Sequence, residues 1–127
     1  MFEEGGRLLK RRILVVEDDA DSRMMVQMLL EREGYVVATA ANGLEALASA
    51  RQQRPDLIVL DLMMPLMDGR AFRAAQLADP DLASVPVVLT TAASPSDAAL
   101  TVDASFQKPL DFDAFVGTLR TLFKLAA

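Results

Sequence analysis

The chain has 127 residues, a formal net charge of −5, 52% hydrophobic residues and 24% charged residues. That length suits one domain, and that composition supports a core and excludes disorder. Neither cysteine nor histidine occurs, which excludes disulfides, thiolate metal sites, thiol nucleophiles and histidine-based acid–base chemistry.

Any chemistry must therefore use carboxylates, hydroxyls, Lys, Arg or backbone groups. The acidic balance argues against direct nucleic-acid binding by the body of the chain. Residues 1–11 are expected to form an N-terminal leader ahead of a domain over 12–127. The leader opens with Glu3 and Glu4 and has no apolar run of the signal-peptide kind. The uninterrupted aliphatic runs Ile13–Val16 and Leu57–Leu60 are too short to span a bilayer. A cytoplasmic protein without membrane insertion is the expectation.

Ile13-Leu14-Val15-Val16 is a continuous β-branched run, as a strand buried on both faces requires. Asp19 or Asp21 can cap the helix that follows. Met24, Met25, Met28 and Leu29 recur there at helical spacing and are expected in the core. Gly34 ends that helix as a C′ glycine. Tyr35–Ala40 reads as a second strand. Asn42 can cap a second helix, with Glu45 three residues on as in a capping box, and Leu44, Leu47 and Ala48 would give it an apolar face. Leu57-Ile58-Val59-Leu60 is a third strand that stops at Asp61. A turn with Pro65 and Asp68-Gly69 leads into a helix from about Arg70 to Leu77. Val87-Val88-Leu89-Thr90 is a fourth strand. A weak segment with Pro95 follows, then a short fifth strand around Ala104–Gln107. Phe112, Phe115, Val116, Leu119, Leu122 and Phe123 form the most regular amphipathic helix of the chain.

Strands alternating with helices give a parallel sheet with helices on both faces. In such sheets the functional crevice lies beyond the carboxyl ends of the strands. Those ends carry Glu17-Asp18-Asp19, Asp61, Thr90-Thr91 and Lys108. Each has an ordinary explanation alone, as a cap, a turn residue, a β-branched strand residue or a surface lysine. Together they are oxygen ligands suited to Mg²⁺, a carboxylate nucleophile, a hydroxyl and a cation for phosphoryl oxygens.

From Arg12 to Leu125 the chain resembles the receiver domains of two-component response regulators. The resemblance rests on Ile13-Leu14-Val15-Val16-Glu17-Asp18-Asp19, Asp61-Leu62-Met63-Met64-Pro65 with Asp68-Gly69, Thr91-Ala92, and Lys108-Pro109. It implies a flavodoxin-like (βα)5 doubly wound fold with strand order 2-1-3-4-5. It implies that Asp61 is the phosphoacceptor. Glu17, Asp18, Asp61 and the backbone carbonyl of Met63 would hold Mg²⁺, with Glu17 acting directly or through water. Thr91, followed by Ala92, would be the switch hydroxyl. Lys108 would pair with a phosphoryl oxygen and precede a cis bond to Pro109. The donor would be a partner histidine kinase or phosphotransfer protein, and the output a phosphorylation-controlled contact with a downstream effector protein.

Two departures from the family pattern stand out. The interval from Thr91 to Lys108 is short and holds Pro95 and small residues, so the fourth helix should be short, irregular or absent. The aromatic that the family places three residues before the lysine is replaced by Ser105, with Phe106 one residue later. Alternation would turn Phe106 to the opposite face, which calls into question both the usual aromatic rotamer switch and dimerisation through that side. A bulge would return it to the usual role. Two rivals remain. One is a degenerate receiver acting as a phosphorylation-independent binding module. The other is an Asp-nucleophile phosphatase, opposed by Met63 where a second Asp would be needed. The chain stops just after its last helix, so a stand-alone receiver or a piece of a larger regulator is expected.

Overall fold

The computed structural model describes residues 10–92 and 100–126. The chain forms five strands, β1 (Arg12–Val16), β2 (Val36–Ala40), β3 (Leu57–Asp61), β4 (Val87–Thr91) and β5 (Ala104–Gln107). All neighbours pair in parallel, in the order β2-β1-β3-β4-β5. The central strands read as unbroken apolar runs because helices cover both faces, and β3 and β4 are buried along their whole length. Edge strand β5 alternates between half-buried and exposed.

Four helices lie among the described residues: α1 (Ala20–Arg32), α2 (Gly43–Gln52), α3 (Gly69–Ala78) and α4 (Phe112–Ala126). Asp19 caps α1 by accepting from the Ser22 N–H at 2.9 Å. At its other end Gly34 sits at φ 97°, and the N–H groups of Gly34 and Tyr35 return to the carbonyls of Glu31 and Leu30. This is the Schellman arrangement that a C′ glycine permits. Asn42 caps α2, accepting from Glu45 N–H at 2.9 Å, while the Glu45 carboxylate reaches back to Ala41 N–H. Asp68 caps α3 in the same way.

The sheet separates two cores. Leu14, Val16, Ile58, Leu60 and Leu89 face α2 and α3, where Leu47 and Phe72 pack. Ile13, Val15, Leu57, Val59 and Val88 face α1 and α4, where Leu30, Phe115 and Leu119 pack. The amphipathic reading of α4 holds, with Phe115, Val116, Leu119 and Phe123 buried.

Two helix faces differ from expectation. Met24, Met25 and Met28 are 59%, 56% and 57% exposed, and α1 instead buries Val26 and Leu30. Two residues along a helix turn about 200° around its axis, so a stripe through 26 and 30 leaves 24 and 28 outside. In α2 the buried face is Gly43, Ala46, Leu47 and Ala50. Leu44 and Ala48 are exposed. Small alanines lie against the sheet because the helix packs close to it.

The expectation of a short or missing fourth helix falls mainly on residues 93–99, outside the described residues, as does most of the leader over 1–11. Just beyond that gap, Leu100 and Val102 pack on the α2–α3 core, and the Arg73 guanidinium donates to the Thr101 carbonyl at 2.9 and 3.2 Å. Phe106 points into the α1–α4 core, edge-on to Phe115 with ring centroids 5.6 Å apart, while Ser105 is exposed. No bulge returns the aromatic to the other face.

Candidate acidic site

The strand order reverses between β1 and β3, so their chain crossovers leave on opposite faces and open a crevice beyond their carboxyl ends. Glu17 follows β1 directly, and Asp61 ends β3. Val16 pairs with Leu60 in register, which sets Glu17 and Asp61 side by side. Carboxylate oxygens of Glu17, Asp18 and Asp61 all lie within 4.8 Å of one another. Glu17 and Asp61 are buried, and Asp18 is exposed. Lys108, just past β5, brings its Nζ to 2.5 Å from Glu17 Oε1 and 3.5 Å from Asp61 Oδ2.

Backbone groups hold these side chains. Glu17 Oε2 accepts from Asp19 N–H at 3.1 Å, and Asp61 Oδ1 from Met63 N–H at 3.3 Å. The Arg23 guanidinium, one turn into α1, donates to the carbonyls of Glu17 and Asp18 and fixes the β1–α1 turn. Lys108 N–H donates to the Thr91 carbonyl at 2.8 Å, and the Lys108–Pro109 peptide is cis. The loop after Asp61 carries two non-glycine residues at positive φ, Leu66 at 47° and Met67 at 61°. It is pinned by Gly43 N–H, which donates to the Met67 carbonyl at 3.1 Å. A β-carbon on Gly43 would stand 2.2 Å from that oxygen, and one on Gly69 would stand 2.8 Å from the Asp61 carbonyl. Both positions need glycine because backbone passes against them.

The electrostatics follow from burial and crowding. Burial, then the charge of Glu17, then a shared hydrogen bond with Glu17 push Asp61 up to about 7, against the pull of Lys108. For Glu17 burial alone would raise the value, but hydrogen bonds from Lys108 and the Asp19 backbone bring it below the ordinary carboxylate range. Burial works against the Lys108 ammonium too, yet Glu17 and Asp61 hold it charged above its usual range. Two buried carboxylates are thus crowded together and resist ionising at once, the condition that a divalent cation relieves.

The structure brings Glu17, Asp18, Asp61 and Lys108 together. Met63 presents an exposed side chain, and its backbone adjoins Asp61. Thr91 is fully buried at the end of β4 and Ala92 is exposed. The register partner of Asp61 is Thr90. Sequence reasoning missed Arg23 and Gly43. Both act through backbone carbonyls supplied by other elements, and neither has a side-chain pattern that would reveal them.

A doubly wound parallel sheet with clustered carboxylates and a lysine at its switch point defines a flavodoxin-like domain with an acidic crevice. The family model described as the response regulator receiver domain matches residues 13–119. The chain belongs to that family. It is 42% identical over 84 residues to the DNA-binding response regulator MtrA of Mycobacterium tuberculosis, an alignment that covers 66% of this chain and 36% of that protein. The chain thus spans about a third of the length of such relatives. The solved structure of the chemotaxis response regulator CheY4 of Vibrio cholerae superposes with a TM-score of 0.82 at 32% identity, covering 89% of this chain and 98% of that one. The response regulator TrrA of Thermotoga maritima, solved in complex with Mg²⁺ and BeF, gives 0.80 at 31% identity, covering 88% and 98%. Among the described residues no helix is long and apolar enough to cross a membrane.

Proposed function

We propose that residues 12–127 form a receiver domain in which Asp61 accepts a phosphoryl group from a phosphohistidine on a partner histidine kinase or phosphotransfer protein. An Asp61 oxygen attacks phosphorus, an acyl phosphate forms, and the imidazole of the donor leaves. The observation that carries this reading is the convergence of Glu17, Asp18 and Asp61 with Lys108 over them. Absence of histidine from the chain supports a role as acceptor and not donor.

Glu17, Asp18 and Asp61, with the Met63 carbonyl, would hold Mg²⁺. Carboxylate oxygens converging within 4.8 Å, two of them from buried residues, fit a hard cation that takes oxygen ligands, and the Mg²⁺ in the TrrA structure supports the choice. When bound, the ion would neutralise charge on the carboxylates and on the phosphoryl oxygens. Lys108 is placed to exchange Glu17 for a phosphoryl oxygen. Thr91 and Ala92 would line the side from which that group is reached. The resulting charge biases a surface read by a downstream effector protein. This domain acts in the cytoplasm by protein contact. Its acidic charge supports no direct contact with nucleic acid. It regulates and does not turn over small phosphate esters, since Met63 stands where a second catalytic Asp would be required.

The test is treatment with acetyl phosphate, read by intact mass. Wild type should gain one phosphoryl group with Mg²⁺ and none with chelator, and Asp61→Asn should gain none. No labelling of wild type overturns the reading and favours the binding-module rival, and Mg²⁺-independent labelling or labelling of Asp61→Asn overturns the assignment of Asp61.

A further inference from the structure

Beside the acidic crevice, on the α1–α4 side of the sheet, a cavity of about 340 Å³ opens between α1 and the turn from Pro109 to Phe112. Val15, Val26, Val59, Leu110 and Phe112 line it, and Met25 lies at its α1 edge. Glu17, Thr90 and Lys108 give it one polar end.

The cavity has a local cause. Ser22, Val26 and Leu30 follow one another at four-residue spacing on the inward side of α1, and Val26 and Leu30 are buried. Ser22 is the first residue of that stripe and lines the cavity. It also stands three residues after the Asp19 cap, where its N–H and its hydroxyl both bond the Asp19 carboxylate and hold it below the usual carboxylate range. A residue committed to the cap has no side chain left to fill the space beneath the stripe. A leucine or methionine there would fill it.

The lining sets the chemistry of an occupant. An apolar cavity of about 150 Å³ holds one benzene, so this one has room for two fused rings or one alkylated ring. Its polar end is already internally neutralised, because Lys108 is paired with Glu17 at 2.5 Å and with Asp61 at 3.5 Å. A carboxylate there would face Glu17, and an ammonium would face Lys108. A charged head would also lose its hydration without gaining a counter-ion. We infer that this cavity is a binding site for an uncharged, mainly apolar small molecule of one or two rings carrying a single hydroxyl, the hydroxyl lying toward Glu17 and Thr90. The inference stands apart from phosphoryl chemistry, since the site exists without metal or phosphate.

The experiment is an NMR titration of the full chain, free of metal, with 2-naphthol and separately with 2-naphthoate. Naphthol should saturate and give intermolecular NOEs to the Val15, Val26 and Val59 methyls. Naphthoate should bind at least about tenfold more weakly, the cost of burying its charge. Ser22→Leu and Ser22→Met should each weaken naphthol binding by about tenfold or more, and Ser22→Ala should retain it. No saturation, NOEs confined to other residues, equal binding of naphthoate, or unchanged binding in a folded Ser22→Leu or Ser22→Met variant each overturns the inference. If neither filled variant folds, the NOEs in wild type decide the matter.

Discussion

Asp61 holds a proton near neutrality because burial and the Glu17 charge both oppose its ionisation. Its native value, about 7, lies above the 3.8 of an unstructured Asp. Between those values the folded state binds a proton that the unfolded state does not, so this group makes stability fall as pH rises, with no further loss above about 7. Glu17, held low, contributes with the opposite sign and loses its share on acidification. Asp61→Asn, a mimic of the protonated carboxyl, should therefore already raise thermal stability slightly at pH 5, where the unfolded Asp is ionised and the native carboxyl is still protonated. At pH 8 in chelator the same substitution should raise Tm further, by at least about 3–6 °C beyond its effect at pH 5, the shift that about 1 kcal/mol produces in a domain of this size. Differential scanning calorimetry at the two pH values checks this, and equal shifts would contradict it. Protons and Mg²⁺ also compete for the same oxygens. The apparent affinity for Mg²⁺ should fall by roughly tenfold per pH unit below about 7, measurable by calorimetric titration, and flatten above it.

At the scale of elements, the loop after β3 is shaped by its contact with α2. Gly43→Ala would drive a β-carbon into the Met67 carbonyl. It should cost about 1–3 kcal/mol in urea unfolding, as overpacking does, and weaken Mg²⁺ binding because the displaced loop carries Met63. A neutral substitution would show that the loop does not depend on this contact. On the other side of the sheet, Phe106 is a core residue. Phe106→Ala should destabilise by about 2–3 kcal/mol, less than for a fully buried ring. Its ring resonances should stay unchanged when beryllofluoride is added with Mg²⁺, and a large shift would restore the aromatic switch that the position of Phe106 denies. Much of this was legible in the sequence. The aliphatic runs ending in Glu17, Asp61 and Thr91 announced both the sheet and the crevice, because a buried parallel strand leaves only its carboxyl end for polar groups. One-residue alternation was enough to turn Phe106 inward. The inner face of α1 was misread because methionine density masked the stripe through Val26 and Leu30. Contacts made to main-chain carbonyls, such as Gly43 N–H with Met67 or the Arg23 side chain with Glu17, leave no periodic trace.

Across the whole molecule the sheet is a frame that brings four strand ends to one point. β1 and β3 supply the acids, and β5 supplies the lysine that crosses to them. Burial of Glu17 and Asp61 keeps water from screening their charges fully. The family match spans 13–119 and so includes Glu17, Asp61, Thr91 and Lys108. In the proposed function Asp61 is the residue that takes the phosphoryl group. The direct measurement is phosphotransfer from a phosphohistidine protein in Mg²⁺, reductive trapping of the acyl phosphate with borohydride, and peptide mapping. One reduced residue is expected, at position 61, lost when Mg²⁺ is removed. Trapping at Glu17, Asp18 or any other carboxylate, or none at all under conditions where Mg²⁺ binds, would contradict it.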